Sequence, residues 1–247
     1  MNAVVSGDIQ HPREWLRLER LAGHAETVAE AAAAKGIVDP TERLMGGLGV
    51  YFSARADYRR AERLSRARLA SAERGRGKDH PNVAIHSSNL AELLRIINRL
   101  AEAEPLMRRA LSIDEAFLGA RHPSVARDLN NLAQLLQVTD RLTEAELLMR
   151  RAVHIDEAGY GPDHPGLAMY RANLAVLLRV PHRPTEAETL LRRAVVIYFR
   201  SDAANRHAHP HRDAALRHYT RLLTEMGDAP DTIQAKIAAA RAEAGLT

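Results

Sequence analysis

Residues 122–165 read HPSVARDLNNLAQLLQVTDRLTEAELLMRRAVHIDEAGYGPDHP, a stretch that opens on His122-Pro123 and closes on His164-Pro165. A third such dipeptide, His80-Pro81, stands 42 residues upstream of the first, and the text between them repeats in register. Asn89-Leu90-Ala91 recurs as Asn131-Leu132-Ala133 and Asn173-Leu174-Ala175. Glu102-Ala103-Glu104 recurs at 144–146 and 186–188, and Arg108-Arg109-Ala110 at 150–152 and 192–194. A fixed period of this length means one supersecondary unit copied along the chain. Such a unit cannot bury its apolar face alone and stacks on its neighbours, so the spacing predicts a solenoid.

Within the unit the pattern is helical. Val125, Leu129, Leu132, Ala133, Leu135 and Leu136 follow the three-and-four spacing of a buried stripe. Thr139-Asp140-Arg141 interrupts it, and a second run follows through Leu142, Ala145, Leu148, Met149, Ala152, Val153 and Ile155. The unit is therefore helix, short turn, helix, then a longer loop. Gly77, Gly119 and Gly161 recur where a left-handed residue ends the second helix. Pro81, Pro123 and Pro165 fall where the next helix begins, a position that tolerates a missing amide hydrogen. The same register reads Gly75-Arg76-Gly77-Lys78 as a helix stop, since it lacks the spacing and the preceding strand of a phosphate loop.

Degenerate copies extend the array. Gly47-Leu48-Gly49 aligns with Asn89-Leu90-Ala91, and Arg60-Ala61-Glu62 with Glu102-Ala103-Glu104, giving a first repeat over about residues 40–76. His209-Pro210 is a copy displaced by three residues that opens a partial fifth unit through Met226. Three regions are expected: 1–39 as an N-terminal capping helix region, 40–226 as four repeats plus a partial fifth, and 227–247 as a C-terminal capping helix. Atypical end units of this kind cap a stack. The fold class is all-α.

Composition agrees. Hydrophobic residues make up 46% of the chain but aromatics only 4%, so the core material is mostly Ala and Leu, the best helix formers. With no cysteine, disulfides and thiolate metal sites are excluded, which fits a reducing compartment. The first eight residues lack the basic start and apolar run of a signal peptide, and no stretch approaches the roughly 18 apolar residues of a membrane span. The expectation is a soluble, cytoplasmic protein that does not engage a membrane. The net charge of +4 comes almost wholly from arginine, with Lys35, Lys78 and Lys236 the only lysines. These charges are spread among 31 acids and form no basic run, so they do not by themselves point to nucleic acid.

Catalytic constellations are missing from the text. The pairs Glu102/Glu104, Glu144/Glu146 and Glu186/Glu188 have a two-residue spacing that points helical side chains apart. No G-x-S-x-G elbow, H-E-x-x-H or dinucleotide fingerprint occurs, and no cofactor is expected. His80, His122 and His164 are read as capping or loop-packing residues one repeat apart. His207, His209 and His211 form an alternating trio, but a stable metal site needs further ligands and outer support, so no metal is assigned.

The 122–165 unit resembles the 42-residue tetratricopeptide repeat of kinesin light chains and their bacterial relatives. Leu132, Ala133, Leu142, Ala145, Met149 and Ala152 fall on the positions that interlock the helices, and the first repeat keeps the family's glycine and tyrosine as Gly49 and Tyr58. Trp15 to Gly36, followed by ERLMGGLGVYFSARADYRRAERLSRA, is also similar to the sensor arm of bacterial signalling ATPases of the apoptotic nucleotide-binding type, although no Walker A sequence occurs here. The resemblance implies a right-handed superhelical solenoid of antiparallel helix pairs, with first helices lining a concave groove that binds an extended peptide.

Carried over residue by residue, the family's groove positions fall on Arg43, Val50 and Ser53 in repeat one and on Ile85, Ser88, Glu92 and Arg95 in repeat two. They fall on Arg127, Asn130, Gln134 and Gln137 in repeat three and on Met169, Val176 and Arg179 in repeat four. The partial fifth contributes Arg217, Arg221 and Thr224. Six arginines against Glu92 alone imply an acidic or phosphorylated ligand, because a guanidinium offers two parallel donors to such groups. No lysine occupies these positions, so the carboxylate clamp by which some repeat domains hold a chain terminus is not reproduced. The recurring Asn89, Asn131 and Asn173 are read first as bridges between helices.

The leading expectation is a non-enzymatic interaction scaffold for a protein or peptide. The alternative is a regulatory or sensor arm for an ATPase or transcription regulator on another chain. Nucleic acid is a third reading, opposed by the lack of stacking aromatics at the groove positions. Self-association is expected, if anywhere, through the terminal helices, with residues 229–245 as cap or dimer contact.

Overall fold

A computed structural model of the chain describes residues 12–179, 183–205 and 207–246. The opening residues read above for a signal peptide, and Arg206, lie outside the described residues, as does the side chain of Trp15. Among the described residues there are eleven helices and no strand. They are α1 (Pro12–Ala34), α2 (Asp39–Ala54), α3 (Tyr58–Arg76), α4 (Pro81–Ile96), α5 (Leu100–Leu118) and α6 (Pro123–Val138). Then come α7 (Leu142–Tyr160), α8 (Pro165–Leu178), α9 (Pro184–Asn205), α10 (Arg212–Glu225) and α11 (Pro230–Glu243). The chain is an all-α solenoid of antiparallel helix pairs.

The punctuation seen in the sequence is physical. His80, His122 and His164 are N-caps whose Nδ1 atoms accept from the amides of Asn82, Ser124 and Gly166 at 3.1, 3.1 and 3.2 Å. The proline that follows each occupies a first-turn position with no amide to satisfy. Gly77, Gly119 and Gly161 end the second helices at φ 92°, 89° and 85°, a conformation that costs a residue with a Cβ. Inside the pairs α2–α3, α4–α5 and α6–α7 the turn residue is left-handed as well, at Ala56, Asn98 and Asp140, with φ 59°, 61° and 60°.

The displaced fifth copy behaves differently. His209 Nδ1 still accepts from the amide two residues on, that of His211, at 3.2 Å. Yet α10 starts only at Arg212, because His209 is stacked on Tyr198 at 4.7 Å and Asp202 Oδ1 accepts from its amide at 2.5 Å.

Close helix approach rests on alanine. Ala61, Ala103, Ala145 and Ala187 occupy one register position and are all fully buried, as are Ala91, Ala133 and Ala175 at another. Leucines interleave with them, and each such side chain contributes about 1.5–3 kcal/mol by leaving water.

The chain divides into two compact units, residues 1–113 and 114–247. In the first, α1 packs on α2, and Ala22, Ala25 and Ala29 meet a core of Met45, Leu48, Phe52 and Leu64. Arg60 fastens the cap: it donates to Glu19 at 2.7 Å and Glu26 at 2.8 Å, with its guanidinium 3.9 Å from the Phe52 ring centre. Burial works to raise the Glu26 pKa, but hydrogen bonds from Arg60 and Arg63 outweigh it and hold the carboxyl below its usual range. In the second unit α6 pairs with α7 and α8 with α9, and α11 packs against α9 and α10.

The repeated carboxylate pairs turn out to be rungs of an ionic ladder. In the first unit Arg66 reaches Glu102 at 2.9 Å and Arg99 reaches Glu62 at 2.6 Å. In the second, the register equivalents Arg150 and Arg183 reach Glu186 at 2.5 Å and Glu146 at 2.7 Å. Glu62, Glu102, Glu146 and Glu186 are each thus claimed by arginines of their own and the neighbouring pair.

Candidate binding faces of the first helices

In the first unit, α2 and α4 share a cavity of about 420 Å³. Val50, Ser53 and Glu92, three of the residues carried over from the repeat resemblance, line it, together with Asn89, Leu93 and Ile96. The cavity reaches solvent, since Val50 and Ile96 are 70% and 53% exposed. Arg43 and Ile85 are exposed on the same two helices, and Ser88 is half-buried. Arg95 is turned back on its own helix: its Nε and Nη2 donate to Glu92 at 2.8 and 2.6 Å, and that bond raises its pKa. The charge of Glu92 is therefore internally matched.

In the second unit the expected residues separate into two groups. Arg127 donates to buried Asp128 at 3.2 Å and lies 3.6 Å from buried Asp114. Asn130 is itself buried, and its Oδ1 accepts from Asn173 Nδ2 at 2.8 Å. That bond links α6 to α8, the helix-bridging role read for Asn173. Gln134, Gln137, Met169 and Val176 are half-buried. Further along, Arg179 forms a two-pronged contact with Glu225 at 2.9 and 2.5 Å, and Arg221 adds a third bond to the same carboxylate at 3.1 Å. Thr224 donates to the carbonyl of Thr220 at 3.0 Å. Arg217 is exposed.

Four of the six groove arginines thus have carboxylate partners within the protein. Only Arg43 and Arg217 lack an ion pair among the described residues, so the free positive charge is smaller than the sequence count suggested. The partners missed in the sequence are Asp114, Asp128 and Glu225. Glu225 had a signal, standing four residues after Arg221 on one helix. Asp114 and Asp128 had none, because the first comes from a second helix outside the groove positions.

The floor of the first-unit cavity was missed as well. His86 Nε2 sits 3.1 Å from Glu42 Oε2, both residues being buried, and Arg76 Nε is 3.8 Å from Glu42 Oε1. Burial pushes the His86 pKa down, the nearby Arg68 and Arg76 push the same way, and Glu42 opposes them. Arg68 Nε and His86 Nδ1, on residues that line the cavity, are buried without a hydrogen-bond partner, as are Thr41 Oγ1 and Glu42 Oε1 on α2 and Ser87 Oγ on α4.

No group of three metal-ligating side chains stands together among the described residues, and no helix described is long and apolar enough to cross a membrane. His209 and His211 are joined to each other through the backbone bond given above.

The tetratricopeptide repeat family's sequence profile matches residues 40–116, 84–158 and 124–198. No curated protein sequence matches the chain. Among solved structures, BtubC (BKLC) from P. vanneervenii has a TM-score of 0.72 at 23% identity, covering 92% of this chain and 90% of that one. The nearly identical TPR-like repeats of a Podosopora anserina protein described as a kinesin light chain give 0.56 at 20% identity, over 95% and 98%. The apo form of RapI gives 0.66 at 14% identity, over 83% of this chain and 70% of that one. At such identities the likeness establishes the fold.

Proposed function

The chain belongs to the tetratricopeptide repeat family, a protein-interaction fold, and on that premise we propose that it is a non-enzymatic scaffold whose first helices receive an extended, acidic segment of a partner protein. The observation that carries this reading is the cavity between α2 and α4, open to solvent between exposed aliphatic side chains of two consecutive first helices. Exposed apolar side chains beside a basic group are what protein interfaces use as anchors. Arg43 and Arg217 supply the uncommitted positive charge. Half-buried Gln134, Gln137, Met169 and Val176 supply amide and apolar contact in the second unit.

Affinity capture from a cell extract tests it, with wild type compared against an Arg43→Glu/Arg217→Glu variant. Neither arginine has an ion pair to break among the described residues, and both are exposed, so the variant is expected to fold, which a thermal melt checks. A partner held by wild type and released by the variant, and by raised salt, is the expected result. Equal capture by both sinks the reading, and capture that nuclease abolishes replaces it with nucleic-acid binding.

A further inference from the structure

Arg68 extends from α3 to the floor of the cavity between α2 and α4. Its guanidinium lies against Gly46: a Cβ there would stand 2.7 Å from Nη1 and 2.8 Å from Cζ, so a side chain at 46 would displace it. The Nε atom is buried without a hydrogen-bond partner, and Arg68 forms no ion pair among the described residues. Many arginines of the same unit do: Arg60 with Glu19 and Glu26, Arg66 with Glu102, Arg76 with Asp39, Arg99 with Glu62, Arg109 with Glu73; Arg43, Arg59 and Arg74, which among the described residues do not, are exposed to solvent.

Burial lowers the Arg68 pKa, and only Glu42 counters it. Glu42 is already bonded by His86 and faced by Arg76. An arginine does not escape such a position by losing its proton, so a half-buried cation with its Nε unbonded is left at the cavity without an ion-pair partner among the described residues. The cavity around it carries Ser53, Ser65 and Asn89 as polar groups, with Val50 and Ile96 as an apolar rim. Glu92 also lines the wall, which disfavours a doubly charged phosphate more than a single carboxylate; its own charge is held by Arg95.

We propose that this cavity is a carboxylate subsite: Arg68 takes the side chain of an aspartate or glutamate in the bound segment, while an adjacent aliphatic residue of that segment packs on Val50 and Ile96. The assignment rests on the scaffold reading and specifies which ligand group docks and where. It reaches past the exposed arginines to one on a second helix, admitted through the gap that Gly46 leaves.

The test is selection from a random dodecapeptide library, displayed with the peptide C-terminus fused so that no free terminal carboxylate is offered. The full chain serves as bait in three forms: wild type, Arg68→Gln and Gly46→Ala. Alanine favours the helix over glycine, so the Gly46 variant keeps its fold, as a melting temperature no lower than wild type verifies. Wild type is expected to enrich an acidic residue beside an aliphatic one, and both variants to lose that acidic preference. A synthetic wild-type consensus peptide should bind each variant at least tenfold more weakly, as should its Asp→Asn form to wild type. A consensus without an acid, or the same acidic consensus from Arg68→Gln, overturns the subsite and leaves the scaffold reading standing. No enrichment by wild type overturns both.

Discussion

Asp128 occupies the register position that carries His86 one repeat earlier and Tyr170 one repeat later. Burial raises its pKa to about 6, Arg127 pulls it down, and the neighbouring Asp114 pushes it up. Because the folded-state pKa lies above that of an unfolded aspartate, the folded state holds its proton where the unfolded state has released it. Stability from this group is therefore complete below about pH 4 and falls as pH rises through 4 to 6, by about 3 kcal/mol. Asp128→Asn should stabilise the protein at pH 7.5 and have little effect at pH 4.5, read from denaturant midpoints at the two values. The sequence showed Arg127 and Asp128 side by side, but adjacent helical positions diverge, so their pairing was not legible. It forms because Asp128 is held inside while the longer arginine folds back over it.

At the scale of the element, most boundaries were legible because they are written in residues with special backbone needs. Gly77, Gly119 and Gly161 and the three His-Pro pairs mark helix ends for reasons the dihedrals and caps display. The start of α10 was not legible: tertiary contacts of His209 with Tyr198 and Asp202 delay it past Pro210. The left-handed turn inside the pairs α2–α3, α4–α5 and α6–α7 offers a clean experiment. Asn98 and Asp140 are polar residues that tolerate the left-handed conformation, whereas Ala56 adopts φ 59° with no such compensation. Ala56→Gly should raise stability by about 0.5–1 kcal/mol, with thermal melting as the readout. A loss instead would mean that Ala56 makes contacts outweighing its strain.

For the molecule as a whole, a stack of repeats is stabilised by each unit and its nearest neighbours. The terminal helix α11 buries Ile233 and Ala240, and Lys236 bonds Glu188 and Asp228, each at 2.8 Å. Removing residues 229–247 should cost about 2–3 kcal/mol locally. Faster amide exchange is then expected in α9 and α10, with α6 and α7 unchanged; loss of protection through α6 would refute nearest-neighbour behaviour. The solenoid was readable because packing positions recur with the period, alanine on alanine and leucine on leucine. The chemistry of the binding faces was not, since the decisive groups, Arg68, Asp114 and Glu225, sit off the expected positions and matter through partners on other helices. One consequence concerns how the chain finds its order. Surfaces this alike invite a repeat to dock on the wrong copy, or on the same copy in another molecule. Positions 86, 128 and 170 differ in chemistry: histidine beside Glu42, aspartate beside Arg127 and Asp114, tyrosine near Asp156. A misdocked junction would bury one of these away from the groups it meets in the correct order. The packing positions make the copies alike, and these buried polar positions make the junctions differ.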